Sequence, residues 1–156
     1  MLIVEDGTVV TGAQTYASEA YLDAYAAARG YTLIGTEDVL LIQAMDYLEA
    51  QYFIGLKYNF LQPLMWPRTN VVIDNWWQPV HTLPQLLLDA QCAIALAIDA
   101  GESPYQTIQP KKLKVRAGNV EVDYAPGSVS TPLNRTIWLH LHKLLVNESG
   151  FAVIKA

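Results

Sequence analysis

The chain has 156 residues, of which 52% are hydrophobic and 16% charged, and its formal net charge is −5. This length predicts one domain, 1–156, and the single cysteine, Cys92, excludes an internal disulfide. Residues 1–110 carry twelve acidic groups against three basic ones, a balance that argues against wrapping nucleic acid. Few charges and many apolar groups favour a protein that buries part of its surface in an assembly.

Two helices are predicted in the first third of the chain. Ser18 is a favourable N-cap for the first helix, and Gly30 ends it. Thr36 caps the second helix, and Gly55 stops it. Apolar residues recur along the second helix at helical spacing and predict one buried face: Leu41, Ala44, Met45, Leu48 and Tyr52.

Residues 56–83 are predicted to form a long ordered loop, because their apolar side chains are too numerous for a free linker. Proline fixes its own φ and biases the preceding residue toward extended geometry. Gln62-Pro63 and Trp66-Pro67 therefore predict a rigid turn. We expect Trp66, which lies between these prolines, to be buried against the helices.

Two further helices follow the loop. Pro84 suits the first position of a helix from Gln85 to about Ala100, which is apolar nearly all round and predicts the central core helix. A last helix is expected over roughly 134–147, with Ile137, Leu141, Leu144 and Leu145 pointing inward, and 150–156 form a short extended tail. The predicted fold class is therefore mainly α with some β (α+β). It is a bundle of about four helices, and its helical core comprises residues of about 15–100 and 134–147.

A β-hairpin is predicted over 111–124, where apolar and charged residues alternate on both sides of Ala117-Gly118-Asn119. One strand is basic and the other acidic, which favours that pairing. The basic groups could contact phosphates, or they could form a solvated strand face paired with Glu121 and Asp123. Those groups are Lys111, Lys112, Lys114 and Arg116.

No residue pattern predicts a catalytic, cofactor-binding or metal site, and an enzyme is not expected. His140 and His142 are two positions apart on a predicted helix, so they point away from each other and cannot share a metal ion. His81 lies in the loop, and Cys92 lies in the most apolar helix, where a buried inert thiol is the simpler interpretation. The pairs Glu5-Asp6 and Glu37-Asp38 are typical of a turn and a helix start.

Aromatic side chains can stack on bases in single-strand binders, which interleave them with lysine or arginine. Six tyrosines lie instead among acidic residues, so packing in the core or in an interface is favoured for them. These are Tyr16, Tyr21, Tyr25, Tyr31, Tyr47 and Tyr52.

Several blocks, in this order and spacing, together resemble one family. They are TYASEAYLDAYAAARG (15–30), YFIGLKY (52–58), QPLMWPR (62–68), LPQLLLDAQCAIALAI (83–98) and KLKVRAGNVEVDYAP (112–126). The chain is similar to tailed-phage head completion or head-to-tail adaptor (connector) proteins, whose relatives are often labelled DnaT-like single-stranded-DNA-binding proteins. The QPLMWPR and VEVDYAP blocks are the specific parts of this resemblance.

The resemblance implies a structural virion protein of the head–tail neck, made in the host cytoplasm. Its copies would form a ring, expected to be a dodecamer, with the portal protein above and a further neck or tail protein below. Genomic double-stranded DNA would pass non-specifically through the centre of the ring. The resemblance implies no cofactor and no membrane. Trp66, Pro67 and Arg68 would anchor the loop, and 120–126 would form the return strand of the hairpin.

The alternative is a single-stranded-DNA-binding replication accessory protein of the DnaT-like kind. A binder should present a basic, aromatic groove, whereas an adaptor needs shape, an apolar interface and projecting elements. In the adaptor reading we expect the hairpin and one or both termini to contact neighbouring subunits or the portal.

Overall fold

The computed structural model describes residues 1–102, 112–115, 122–124 and 135–146. Within these ranges the chain forms four helices and three antiparallel strand pairs, a mainly helical α+β arrangement that confirms the predicted class. The helices are α1 (Glu19–Ala27), α2 (Glu37–Glu49), α3 (Gln85–Asp99) and α4 (Arg135–Leu141). The strands are β1 (Leu56–Lys57), β2 (Arg68–Thr69), β3 (Val72–Ile73), β4 (Trp76–Trp77), β5 (Lys112–Val115) and β6 (Val122–Tyr124).

Helix α3 lies at the centre of the core, as its apolar composition predicted. It packs against α1, α2 and α4. Leu87, Ala90 and Ile94 on α3 have no exposed surface. No described helix is both long and apolar enough to cross a membrane.

Gln91 is the polar residue of α3 that is fully buried. Its Oε1 accepts hydrogen bonds from the backbone N–H groups of Tyr16 (3.1 Å) and Ala17 (2.8 Å). Its Nε2 donates to Thr15 Oγ1 (2.7 Å) and to the Leu41 carbonyl (3.2 Å). A buried amide is tolerated when its polar atoms are paired, and here the pairing ties the N-terminal segment and α2 to the core helix.

Cys92, the next residue, is fully buried, and burial first, then Asp89, raises the pKa of its thiol to about 12. A thiol whose pKa is higher folded than unfolded (9.0) contributes stability below about pH 9 that is lost as the pH rises toward 12. We expect the contribution of Cys92 to the free energy of unfolding to fall by about 1 kcal/mol between pH 9 and pH 10. Cys92→Ala should flatten this fall in denaturant titrations at the two pH values; an equally steep fall would contradict the assignment.

The predicted ends of two helices are wrong. Helix α2 ends at Glu49, and Tyr52, expected on its buried face, is 83% exposed. The chain leaves the helix because Phe53 turns inward and forms an antiparallel bridge with Leu145. The backbone N–H of Ile54 donates to the Leu144 carbonyl (2.9 Å) within the same contact.

Helix α4 is shorter than predicted, because it ends at Leu141 and gives way to a turn over 142–144. The turn is closed by the Leu144 N–H, which donates to the Leu141 carbonyl (2.8 Å). Leu144 remains buried, as expected, and Leu145 is extended and pairs with the segment after α2. Residues 134 and 147 lie outside the described ranges.

The predicted residues are found at the starts of the helices, but only one of them makes the expected cap hydrogen bond. Ser18 Oγ accepts a hydrogen bond from the Tyr21 N–H (3.1 Å), as an N-cap should. Thr36 occupies the N-cap position of α2 without a side-chain cap bond. Pro84 is the N-cap of α3 rather than its first helical residue.

The segment 56–83 is not a plain loop, because it contains two antiparallel strand pairs. Strand β1 pairs with β2 and β3 pairs with β4. Asp74 and Asn75 connect β3 and β4 with positive φ values of 52° and 68°. Two central residues in this conformation are the mark of a type I′ turn, the preferred connection for a tight hairpin.

The hairpin predicted near residue 111 is present as the antiparallel pair β5 and β6. Lys114 faces Asp123 in the register, and an irregularity separates Lys112 from Lys114. The two strands contact no other described helix or strand. The predicted turn at 117–119, Lys111 and Arg116, and the tail 150–156 lie outside the described residues.

Candidate functional site

The turn that contains Trp66 packs tightly against the helical core. Trp66 is 1% exposed, in agreement with its expected burial, and its ring meets the Phe53 ring edge-on with 6.0 Å between centroids. The Trp66–Pro67 peptide bond is cis. The backbone N–H of Trp66 donates to Tyr16 Oη (3.2 Å).

Glu49, the last residue of α2, is hydrogen-bonded to the same turn. Its Oε1 accepts a hydrogen bond from Tyr16 Oη (2.6 Å), and its Oε2 accepts one from the Met65 N–H (2.9 Å). Burial, reinforced by the Glu49 charge, raises the pKa of Tyr16 well above its ordinary value. Tyr16 therefore stays a hydrogen-bond donor to the carboxylate at neutral pH.

Arg68 is buried, and its guanidinium group donates hydrogen bonds to backbone carbonyls instead of to an acidic side chain. Nε donates to the Ile54 carbonyl (2.8 Å) and Nη1 to the Met65 carbonyl (3.2 Å). Nη2 donates to the carbonyls of Phe53 (3.2 Å) and Gly55 (2.8 Å). Burial lowers the pKa of Arg68. The side chain thus joins the segment after α2 to the turn, and the anchoring role of Trp66, Pro67 and Arg68 stays a prediction for unfolding experiments.

Gln62, also buried, closes the turn internally. Its Nε2 donates to the carbonyls of Leu64 (2.8 Å) and Pro67 (3.0 Å), and its Oε1 accepts from the Asn59 N–H (2.8 Å). Together, Gln62, Glu49 and Arg68 form hydrogen bonds with backbone groups between residues 53 and 68 and hold this segment in place.

This fixed framework carries an exposed apolar surface. Phe60 is 89% exposed, and Trp76 and Trp77 are 76% and 71% exposed. Strand β4 lies beside β3, and β3 follows β2 after a two-residue link. Leu56, Val72, Trp76 and Trp77 lie in these strand pairs, and the other exposed side chains lie before β1 or between β1 and β2. We define the apolar surface by the following residues: Tyr52, Leu56, Tyr58, Phe60, Leu61, Val72, Trp76 and Trp77.

The segment that carries the apolar surface differs in charge from the first fifty residues of the chain. Residues 51–83 contain two basic residues, Lys57 and Arg68, and one acidic residue, Asp74. Asp74 forms an ion pair with Lys143 Nζ (2.7 Å). Residues 1–50, by contrast, contain eight acidic residues and one basic residue. The segment of the apolar surface is therefore nearly neutral, whereas the first fifty residues form an acidic part of the molecule.

The tyrosines mostly pack inside the body, as expected. Tyr16, Tyr25 and Tyr47 are buried. Tyr21 and Tyr31 are half-buried and donate to acidic side chains, Asp89 (2.7 Å) and Asp99 (3.0 Å) respectively. Tyr52 alone among the six is exposed.

The exposed aromatic residues were missed in the sequence because they were grouped with the buried ones of the loop. A signal was present in the Asp74-Asn75 pair, which is flanked on each side by two apolar residues. Such a pair predicts a tight hairpin. Neighbouring side chains of a strand point to opposite faces, which agrees with the exposed Val72 beside the buried Ile73. Trp76 and Trp77 are both exposed, which this alternation does not predict.

The acidic pairs have the structural roles that the sequence suggested. The buried Glu5 carboxylate accepts hydrogen bonds from the N–H groups of Gly7 (2.9 Å), Val9 (3.0 Å) and Val10 (3.0 Å), which closes a turn. Glu37 and Asp38 lie in the first turn of α2.

Each of the three histidines has its own hydrogen-bond partner, and these partners differ. His81 Nδ1 is 3.1 Å from the Gly7 carbonyl oxygen, and its ring lies edge-on to Tyr58. His140 Nε2 is 3.2 Å from Tyr25 Oη, and His142 Nδ1 is 2.9 Å from the Trp138 carbonyl oxygen. Among the residues that the structure describes, no three His, Cys, Asp or Glu side chains are grouped as metal ligands.

Comparison with known proteins gives one family. The sequence profile of the family described as "Putative DnaT-like ssDNA binding protein" matches residues 1–156. Neither the curated proteins nor the solved structures give a match. Because the profile spans every residue of the sequence, the chain belongs to the family of putative DnaT-like single-stranded-DNA-binding proteins.

Proposed function

We propose that this protein is a structural adaptor of a phage neck, without enzymatic activity. In this proposal its copies form a ring between the portal and a further neck or tail protein, and genomic DNA passes through the ring. The observation that carries the proposal is the exposed apolar surface on a fixed framework.

Large apolar side chains that are exposed together usually mark a contact with another protein. Phe60, Trp76 and Trp77 present most of their surface to water, where their burial by a partner would be favourable. The buried Arg68 and Gln62 side chains hold the backbone on both sides of Phe60, and Trp76 and Trp77 lie on a strand that pairs with β3. A surface held in one shape loses less entropy on binding, which favours assembly.

The acidic body supports the passage of DNA without adhesion. Residues 1–50 have a large excess of acidic residues, and like charges remove the favourable phosphate contacts that hold a protein on DNA. A ring wall of this kind would let a duplex slide.

A second candidate function is the binding of single-stranded DNA, and a specific observation favours it. The apolar surface includes five aromatic residues, and the exposed Lys57 lies within the same segment. The five are Tyr52, Tyr58, Phe60, Trp76 and Trp77. Exposed aromatic rings beside a cation can stack on bases. The family description names this ligand.

A fluorescence titration with a labelled oligonucleotide at near-physiological salt separates the two candidates. The adaptor proposal predicts weak binding at most, through Lys111, Lys112, Lys114 and Arg116. Neutralising about four phosphates gives a log–log salt slope of about −3 on single strands, so binding should fade by physiological salt. The same protein should co-sediment with purified portal rings.

Two variants make this titration decisive. One replaces the four basic residues by Ala, and the other carries Trp76→Ala and Trp77→Ala. Submicromolar binding at near-physiological salt that either variant abolishes would favour the DNA-binding function over the adaptor. Absent binding, with co-sedimentation on portal rings, would favour the adaptor.

A further inference from the structure

The last described residue, Val146, lies beside the apolar surface, and the sequence that follows it contains an apolar run. We propose that this run, Phe151-Ala152-Val153-Ile154, docks on the apolar surface of its own chain. We call 151–154 the apolar tail; it lies outside the described residues. Three features support the docking: the position of Val146, the sequence of 147–154 and the short connection between the two.

The last described stretch of the chain runs along the border of the apolar surface. Lys143 Nζ lies 2.7 Å from Asp74 Oδ2, in the turn between β3 and β4. Three residues later, the Val146 N–H donates to the Tyr52 carbonyl (2.8 Å). Because three residues span at most about 11 Å, one short stretch contacts both the segment before β1 and the hairpin that carries the exposed tryptophans.

The side chain of Val146 already extends the apolar surface. Phe53, which is buried, and Leu145 form an antiparallel bridge, and side chains along paired segments alternate between the two faces. Tyr52 and Val146, the next residues of that pairing, are 83% and 52% exposed. Residues opposite each other in such a pair contact through their side chains. The described chain therefore ends with an apolar side chain on the surface itself.

The sequence after Val146 suits a return over this surface. Residues 147–150 are Asn-Glu-Ser-Gly, polar residues of the types that favour turns. The next four residues are all apolar. The eight residues from Val146 to Ile154 span at most about 28 Å when extended. Such a length can cover the distance between Tyr52 and the β3–β4 hairpin, which the stretch from Lys143 to Val146 already connects.

Covalent attachment favours the apolar tail over a separate partner in the unassembled protein. A segment joined to its site by a short linker has an effective concentration on the order of millimolar. Charge does not oppose the contact, because 51–83 are nearly neutral and 151–156 contain one charged residue, Lys155. An exposed apolar surface and an apolar run both gain when they leave water together.

A docked tail has a consequence for assembly, because a partner that binds the apolar surface has to displace it. This consequence rests on the proposed adaptor function, whereas the docking itself does not. The apparent affinity for the partner falls by the fraction of copies whose surface is covered. A variant whose tail cannot dock should therefore co-sediment with purified portal rings at a lower protein concentration than the native chain, and equal binding would contradict this consequence.

Nuclear magnetic resonance of the tryptophan indole N–H groups tests the docking in the full chain. The substitutions Phe151→Ser and Ile154→Ser together (the polar-tail variant) remove the two largest apolar side chains of the tail. The signals of Trp76 and Trp77 should then shift, since both side chains lose their cover. The signal of Trp66, which is 1% exposed in the core, should keep its position.

The matched control changes the same part of the chain at its charged positions. Glu148→Gln with Lys155→Gln leaves the net charge and the apolar run unaltered. All of the tryptophan signals should keep their positions in this control. Trp76 and Trp77 signals that stay unchanged in the polar-tail variant would overturn the proposal.

A spin label shows which copy supplies the docked tail. Ala156→Cys provides the attachment point, because the native Cys92 is fully buried. In a chain that carries both the label and ¹⁵N, the Trp76 and Trp77 signals should lose most of their intensity, and the polar-tail substitutions should restore it. In a mixture of spin-labelled chain without ¹⁵N and ¹⁵N chain without the label, the signals should keep their intensity.

Intensity lost in the mixture would assign the docked tail to a neighbouring copy and overturn docking within one chain. Full intensity in both samples would also overturn the proposal.

The docking and the adaptor function can fail separately. If the polar-tail variant left the tryptophan signals unchanged while the native chain occupied virion necks, the docking would be wrong and the adaptor function would stand. If the signals showed the docking but the native chain were absent from necks, the adaptor function would be wrong and the docking would stand.

Discussion

Replacing Trp66 by alanine is expected to lower the free energy of unfolding by about 3–5 kcal/mol. The side chain is 1% exposed and packs edge-on against Phe53, so its removal leaves a cavity between the turn and the core. Equilibrium unfolding in denaturant measures the effect. An unchanged midpoint would show that Trp66 is not a core residue.

Trp76→Ala is the matched control, because it removes the same side chain from an exposed position in the same segment. We expect its effect on the free energy of unfolding to stay within about 0.5 kcal/mol. Trp66→Phe should cost less than Trp66→Ala. It keeps a buried ring and removes an indole Nε1 that has no hydrogen-bond partner among the described residues.

Replacing Arg68 by alanine is expected to cost about 3 kcal/mol or more, because four backbone carbonyls lose a charged donor. Arg68→Lys should recover little of this stability. A lysine keeps the positive charge, but its single ammonium group cannot reproduce the planar fork that reaches carbonyls on two segments.

Lys57→Ala, at an exposed position on the neighbouring strand, serves as the control, with an expected change within about 0.5 kcal/mol. The midpoints of the Arg68 and Lys57 variants can be compared in the same denaturant series. If Arg68→Lys were as stable as the native protein, charge alone and not the fork would account for the role of Arg68.

Hydrophobic periodicity located the helices better than it located their ends. Buried positions at helical spacing identified α2 and the nearly all-apolar α3, whose core role follows from its composition. The end of α2 was misplaced because Tyr52 continues the spacing, although Phe53 is the residue that turns inward to Leu145. That choice depends on a segment more than ninety residues away, which a local pattern does not contain.

The buried polar contacts were the least predictable part of the framework. Gln91 bonds Tyr16, and Glu49 bonds both Tyr16 and Met65, so each contact joins distant parts of the sequence. A glutamine in the middle of an apolar helix is the one local signal for such a role. Strands β1 to β4 have two residues each and are too short for an alternating pattern to be recognised.

Imaging the head–tail neck of virions assembled with this chain, by electron cryomicroscopy, is the most direct test of the adaptor function. The adaptor function predicts a ring of copies below the portal, with α1 to α4 fitting each subunit. A neck without this chain, together with tight binding of the purified protein to single-stranded DNA at physiological salt, would contradict it.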